Sequence, residues 1–166
     1  MIKKMVRGML GLLLAIVLLP QNVIKADDSI YQATSTTTFA QLKGVIEGTT
    51  LNGAGEKYSG VEFETGTYTI KDSGDVLQLN FNRTFTVNVP TGADVTLEAS
   101  LMFANSAKST FTFTGPGKLT VDGKNSTPYK QGINVRSGAK TDINFTNIDF
   151  TIKNTVGYGF YSLTNE

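Results

Sequence analysis

Cysteine, histidine and tryptophan are absent from the 166 residues, and proline occurs only 4 times. Without cysteine there is no disulfide framework and no thiolate metal site. Without histidine the side chain most often used as a general base near neutral pH is missing. Charge is sparse too, with Asp, Glu, Lys and Arg making up 17% of the chain. What is plentiful is glycine, 17 residues, together with threonines and asparagines set among alternating Val, Ile, Leu and Phe. That composition favours strands over helices. The length is that of a single domain able to bury its own core.

The first residues stand apart. Lys3, Lys4 and Arg7 form a positive start, Met9 to Leu19 is an apolar run, Pro20 ends it, and Ile24-Lys25-Ala26 offers a cleavage site. This is the pattern of a secretory signal peptide over residues 1–26, with cleavage after Ala26. The apolar run falls short of the roughly 20 residues a spanning helix needs, so no transmembrane span is expected after its removal. Removal takes four of the 15 basic residues and none of the 14 acidic ones, leaving a mature chain with a small negative net charge. No basic patch remains to engage nucleic acid. The expected location is secreted or at the cell surface.

One small pattern then returns at intervals. Val95-Thr96-Leu97, Leu119-Thr120-Val121 and Ile143-Asn144-Phe145 each place two apolar residues on one strand face, and their first members are evenly spaced along the chain. Val89-Pro90-Thr91-Gly92-Ala93-Asp94 leads into the first and Phe113-Thr114-Gly115-Pro116-Gly117-Lys118 into the second. Strand, glycine corner and strand at such a period predict an all-β solenoid, a parallel β-helix of about 24 residues per coil and about four coils. Evenly spaced strands also describe an antiparallel sandwich, but a sandwich has no need of a constant interval. In the solenoid, Leu119 and Val121 face the core.

Before the strands, residues 27–38 are polar and threonine-rich and read as a flexible leader, with the β-helix domain over 39–166. Phe39, Leu42, Val45 and Ile46 form one helical stripe, with Thr38 placed as N-cap and Gly48 as stop, so a short helix over Phe39 to Glu47 is expected to cover the first coil. Val61 and Phe63 begin the strands, Thr65-Gly66 turns into Thr67 to Ile70, and Lys71 to Asp75 turns again. At the far end Val156 to Leu163 is strand-like and aromatic and only Thr164-Asn165-Glu166 follow. So short a tail builds no cap, and the expectation is that either the β-helix is incomplete at this end or its last coil self-associates or docks on a partner.

Several of these stretches carry a family resemblance. Phe63-Glu64-Thr65-Gly66-Thr67-Tyr68-Thr69-Ile70, Gly115-Pro116-Gly117-Lys118-Leu119-Thr120-Val121-Asp122-Gly123 and Ile143-Asn144-Phe145-Thr146-Asn147-Ile148-Asp149-Phe150, behind a short helix bearing Leu42, resemble the opening coils of pectate-lyase-like right-handed β-helices. The resemblance covers about residues 38 to 153. It implies a right-handed parallel β-helix and, with the amino-terminal segment, the start of a Gram-positive cell-surface protein carrying a pectate-lyase-like adhesive domain. The family's polygalacturonases carry paired aspartates, a Gly-His-Gly and a later basic motif, and its lyases a cluster of acidic calcium ligands. None of these has a match here.

Glycoside cleavage needs two carboxylates facing each other across the bond. Asp122, Asp142 and Asp149 are the candidates, but the register sets Asp122 and Asp142 on outer surfaces of different corners, and Asp122-Gly123 reads as a turn. No catalytic residue, metal ligand or cofactor is therefore assigned. Arg83 and Arg136 read as solvated. The loop from Asn125 to Gln131 presents Tyr129 and Lys130, which with Arg136 are the ligand-binding candidates. The function expected is a non-catalytic adhesive module recognising a surface glycan or protein. The alternative is the amino-terminal part of a polysaccharide lyase or glycoside hydrolase acting on polyuronates.

Overall fold

A computed structural model describes residues 29–71, 77–79, 83–104, 108–123 and 132–162. The expected signal segment with Ala26, the turn expected from Lys71 to Asp75 beyond its first residue, and both Tyr129 and Lys130 lie outside the described residues.

Among the described residues, the alternation of apolar and polar side chains resolves into thirteen strands and one helix. In β8 (Lys108–Thr114), Ser109, Phe111 and Phe113 are buried while Thr110, Thr112 and Thr114 between them are not. Every pairing between these strands is parallel, as the solenoid reading requires. The first sheet runs β1 (Ile30–Ala33), β2 (Gly60–Phe63), β5 (Thr84–Asn88), β8 and β11 (Lys140–Thr146). The second holds β3 (Gly66–Lys71), β6 (Ala93–Glu98), β9 (Lys118–Asp122) and β12 (Asp149–Lys153). The third holds β4 (Leu77–Leu79), β7 (Leu101–Phe103), β10 (Ile133–Val135) and β13 (Phe160–Ser162). The chain visits the three sheets in turn about four times. Each return to a sheet is therefore a crossover through the other two, which is the long connection that parallel pairing demands.

The register confirms part of the repeat and corrects the rest. Val95 pairs with Leu119 and Leu97 with Val121, one expected coil apart, and all four side chains are buried. Leu119, however, pairs onward with Phe150, while Ile143 pairs with Phe111 in the first sheet. The third triplet thus belongs to a different face from the first two. Nor is the interval constant, because Thr84 pairs with Thr110 while Lys108 pairs with Lys140, a distinctly longer step. The long coil is the one containing the stretch between Asp122 and Ile133 that links β9 to β10.

Phenylalanines stack through the interior. Phe85 and Phe111 lie with ring centres 5.7 Å apart, Phe111 and Phe113 4.9 Å, and Phe113 and Phe145 5.3 Å. At the corner from β8 to β9, Gly115 has φ +105°, and a Cβ there or on Gly117 would run into the backbone of the Val89-Pro90 corner one coil below. The absent side chains let the Gly117 N–H donate to the Val89 carbonyl at 2.9 Å.

At the amino-terminal end α1 (Phe39–Glu47) forms as the sequence predicts, with Thr38 and Gln41 making a capping box and Gly48 closing it at φ +77°. Its apolar stripe, Phe39, Leu42, Val45 and Ile46, joins the solenoid's core cluster. The leader needs correction, because Ile30–Ala33 is strand β1 and pairs with β2 along its whole length. A turn follows in which the Thr37 N–H donates to the Thr34 carbonyl at 2.9 Å and the Thr34 N–H to the Thr37 hydroxyl at 2.8 Å. This part of the threonine-rich stretch is therefore ordered by tertiary pairing.

Candidate binding face

Because inward and outward residues alternate and the pairing is in register, like residues line up in columns across the coils. On the first sheet the outward columns are Gln32, Glu62, Asn88, Thr114 and Thr146; then Ile30, Gly60, Thr86, Thr112 and Asn144; then Thr84, Thr110 and Asp142. Lys108 and Lys140 close the edge. Parallel strands set neighbouring members about 4.8 Å apart across the sheet and roughly 7 Å apart along each strand. The result is a grid of hydroxyl and amide groups held on a phenylalanine core, with charge mainly at its borders. On this face Asn88 donates its side-chain N–H to Glu62.

The second sheet carries a column of four threonines, Thr69, Thr96, Thr120 and Thr151. On one side of it run Thr67, Asp94, Lys118 and Asp149, and on the other Lys71 pairs with Glu98 and Asp122 with Lys153. Glu98 and Asp122 each stand one residue beyond the Leu97–Val121 pair on adjacent strands, and both are buried. The expectation that Asp122 faces solvent at a turn is thus overturned. Its carboxylate accepts from the Asn154 side chain at 2.9 Å and lies 3.7 Å from the Lys153 ammonium. Asn154 holds φ at +54°, a left-handed conformation asparagine tolerates, in the bend that follows β12. Asp142, by contrast, is exposed on the first sheet and Asp149 on the second, so the three aspartates do not meet at one site.

Arg83 is the residue whose role the sequence most misrepresents. Its guanidinium donates to the Val45 carbonyl at 2.9 Å, to the Ile46 carbonyl at 2.8 Å and to the Tyr58 carbonyl, and it lies 5.2 Å from the centre of the Phe85 ring. It therefore takes up carbonyls at the carboxyl end of α1, where a cation is also favoured by the helix dipole. Burial holds its pKa below the usual arginine value. Arg136 is exposed at the corner between β10 and β11, as expected, and its backbone joins a turn to Ala139.

At the end of the solenoid away from α1, an open cavity of about 390 Å³ lies between β11 and β13. Val135, Ala139, Ile143 and Phe160 line it together with Lys108, Lys140 and Asp142. Among the described residues no group of three or more carboxylates is placed to hold a metal ion, and no helix is long and apolar enough to cross a membrane. No family model, curated protein or solved structure matches the chain.

Proposed function

We propose that this chain is a non-catalytic binding module shown at a cell surface, and that the outward face of its first sheet receives an extended glycan. The observation that carries the reading is the grid of Thr84, Thr86, Thr110, Thr112, Thr114, Asn88 and Asn144. Hydroxyl and amide groups both donate and accept, as sugar hydroxyls do, and a rigid core spares the face the entropy of ordering on binding. Surface display rests on the signal-like residues 1–26, and an adhesive role is in keeping with the pectate-lyase-like resemblance.

Retention on immobilised cell-wall polysaccharides tests this. Thr112→Glu, at the centre of the grid, is expected to abolish retention, whereas Thr151→Glu on the second sheet leaves it intact. Equal retention of all three proteins would overturn the reading. The enzymatic alternative draws on one observation, the buried neighbours Glu98 and Asp122. Product release from polyuronates that disappears in Glu98→Gln and Asp122→Asn would establish it instead.

A further inference from the structure

We propose that Asn52 is a site of self-modification, at which the main-chain nitrogen of Gly53 displaces ammonia from the Asn52 side chain and water then leaves an aspartyl or isoaspartyl residue in its place. Asn52-Gly53 is the one Asn-Gly pair in the chain. Glycine in the second place sets no Cβ beside the nitrogen that has to attack. The pair lies in the loop between α1 and β2, where Asn52 is partly buried and residues 53–57 are exposed, so water and hydroxide reach it. Among the described residues the Gly53 N–H has no acceptor, and its proton is open to removal by hydroxide.

The loop holds the other half of the reaction in place. The Asn52 N–H donates to the Glu56 carbonyl at 2.8 Å, and the Asn52 carbonyl accepts from the Gly55 N–H at 3.0 Å. The side-chain oxygen of Asn52 accepts from the Ala54 N–H at 3.0 Å and from the Glu56 N–H at 2.8 Å. Asparagine commonly bonds the backbone two residues on in turns, but here the contact has a chemical consequence. When the Gly53 nitrogen, its proton taken by hydroxide, bonds to Asn52 Cγ, the negative charge passes to Oδ1, where two N–H groups already point. The bond from Cγ to Nδ2 then breaks, Nδ2 takes a proton from water and leaves as ammonia, and a cyclic imide remains. Water adds to one of the two imide carbonyls and the C–N bond at that carbon breaks. Opening at Cγ gives aspartate, and opening at the main-chain carbonyl gives isoaspartate. In sum one water enters, one ammonia departs and a neutral amide becomes a carboxylate, which in the aspartyl product accepts from the same two N–H groups. Asp122-Gly123 offers the corresponding ring closure with loss of water, but its carboxylate is buried and engaged by Asn154 at 2.9 Å and Lys153 at 3.7 Å.

Incubation of the full chain at mildly alkaline pH, followed by peptide mapping with mass spectrometry, reads the conversion residue by residue. Asn52 is expected to convert while Asn88, Asn134, Asn144, Asn147 and Asn154 stay intact and no isoaspartate forms at Asp122. In Gly53→Ala a Cβ meets no atom within 4 Å, so the variant keeps the fold, and its conversion at Asn52 is expected to be slower by roughly tenfold or more. The same full chain unfolded in urea isolates the part played by the loop. Unfolding takes the two N–H donors away from Oδ1, so the folded chain is expected to convert faster than the unfolded one. An Asn52 that stays intact, a Gly53→Ala variant that converts at the wild-type rate, or conversion as fast or faster in urea would each overturn the proposal.

Discussion

The two ends of this solenoid are built from the same strands and finished in opposite ways. At the amino-terminal end a helix lies over the apolar interior, and Arg83, reaching from the start of β5, holds that helix by the carbonyls of Val45 and Ile46, far earlier in the chain. At the other end the same inward columns run on into Ile143, Phe145, Phe150, Ile152 and Phe160 with much of their surface in water. The difference shows that stacking alone orders a coil, as β11 pairs with β8 along its whole length, but does not bury it. Burial of a coil takes a further layer over it, as α1 provides for the first.

The largest expected effect compares one column in its two situations. Phe113 is 1% exposed and Phe145, its neighbour in register, is 45% exposed. Phe113→Ala leaves a cavity in a closed core and is expected to cost about 3–5 kcal/mol. Phe145→Ala removes a ring that has already kept nearly half its contact with water, so about 1 kcal/mol is expected. Urea unfolding of both variants at low protein concentration measures the gap. Equal losses would show that the last coil is as well buried as the middle one.

Arg83 comes next. Arg83→Met keeps much of the stem on Phe85 but removes the guanidinium from the carbonyls of Val45, Ile46 and Tyr58, of which Val45 still accepts from the Gly48 N–H at 3.2 Å, and about 2–3 kcal/mol of stability is expected to go with it. Arg83→Lys should recover little of this, since one ammonium does not reproduce the fork that spans three acceptors. If Arg83→Met unfolds like wild type, the helix is held by its apolar stripe alone. A smaller cost, about 1 kcal/mol, is expected for Thr38→Ala, which removes the acceptor for the Gln41 N–H at 3.2 Å.

These sites also mark how far the sequence can be read. The helix is legible to its caps, because Thr38, the apolar stripe and Gly48 are local signals. The solenoid is legible from the alternation of Val95 to Leu97 and Leu119 to Val121, and those two triplets do pair. Ile143 to Phe145 lands on another face because an inward–outward–inward triplet looks the same on every sheet, so the pattern gives strand and facing but not which sheet. The long link between β9 and β10 shifts the spacing enough to produce a false match at the same interval. Strand β1 escapes the sequence because Ile30, Tyr31 and Ala33 supply too little apolar signal alone, and its order comes from pairing with the distant Gly60 to Phe63. Arg83 and Asp122 mislead for the same reason: Arg83 takes Val45, Ile46 and Tyr58, and Asp122 takes Lys153 and Asn154, all distant in sequence. The Thr and Asn grid is visible only as composition until the register puts its members side by side.

The smallest expected effect concerns alkaline pH and the closed end. Tyr68, on β3, sets its ring edge-on to Phe63 at 6.4 Å, and its hydroxyl lies 3.5 Å from the carbonyls of Ala33 and Glu64. Burial first, and then the charge of Glu64, push its pKa from 10.0 up to about 12, against a smaller opposing influence from the Glu64 backbone hydrogen bond. A raised phenol pKa means that the fold prefers the neutral form. Its contribution is therefore fully present below pH 10 and is lost as the pH climbs through about 12. Other groups also titrate in that range, so the informative quantity is the difference between wild type and Tyr68→Phe, which keeps the ring and removes the proton. Thermal melts should show a constant difference in Tm up to pH 10 that shifts in favour of the variant between pH 10 and 12. Parallel curves across that interval would mean that the hydroxyl is in water in the folded chain, and that β1 and the Glu64 corner do not enclose it.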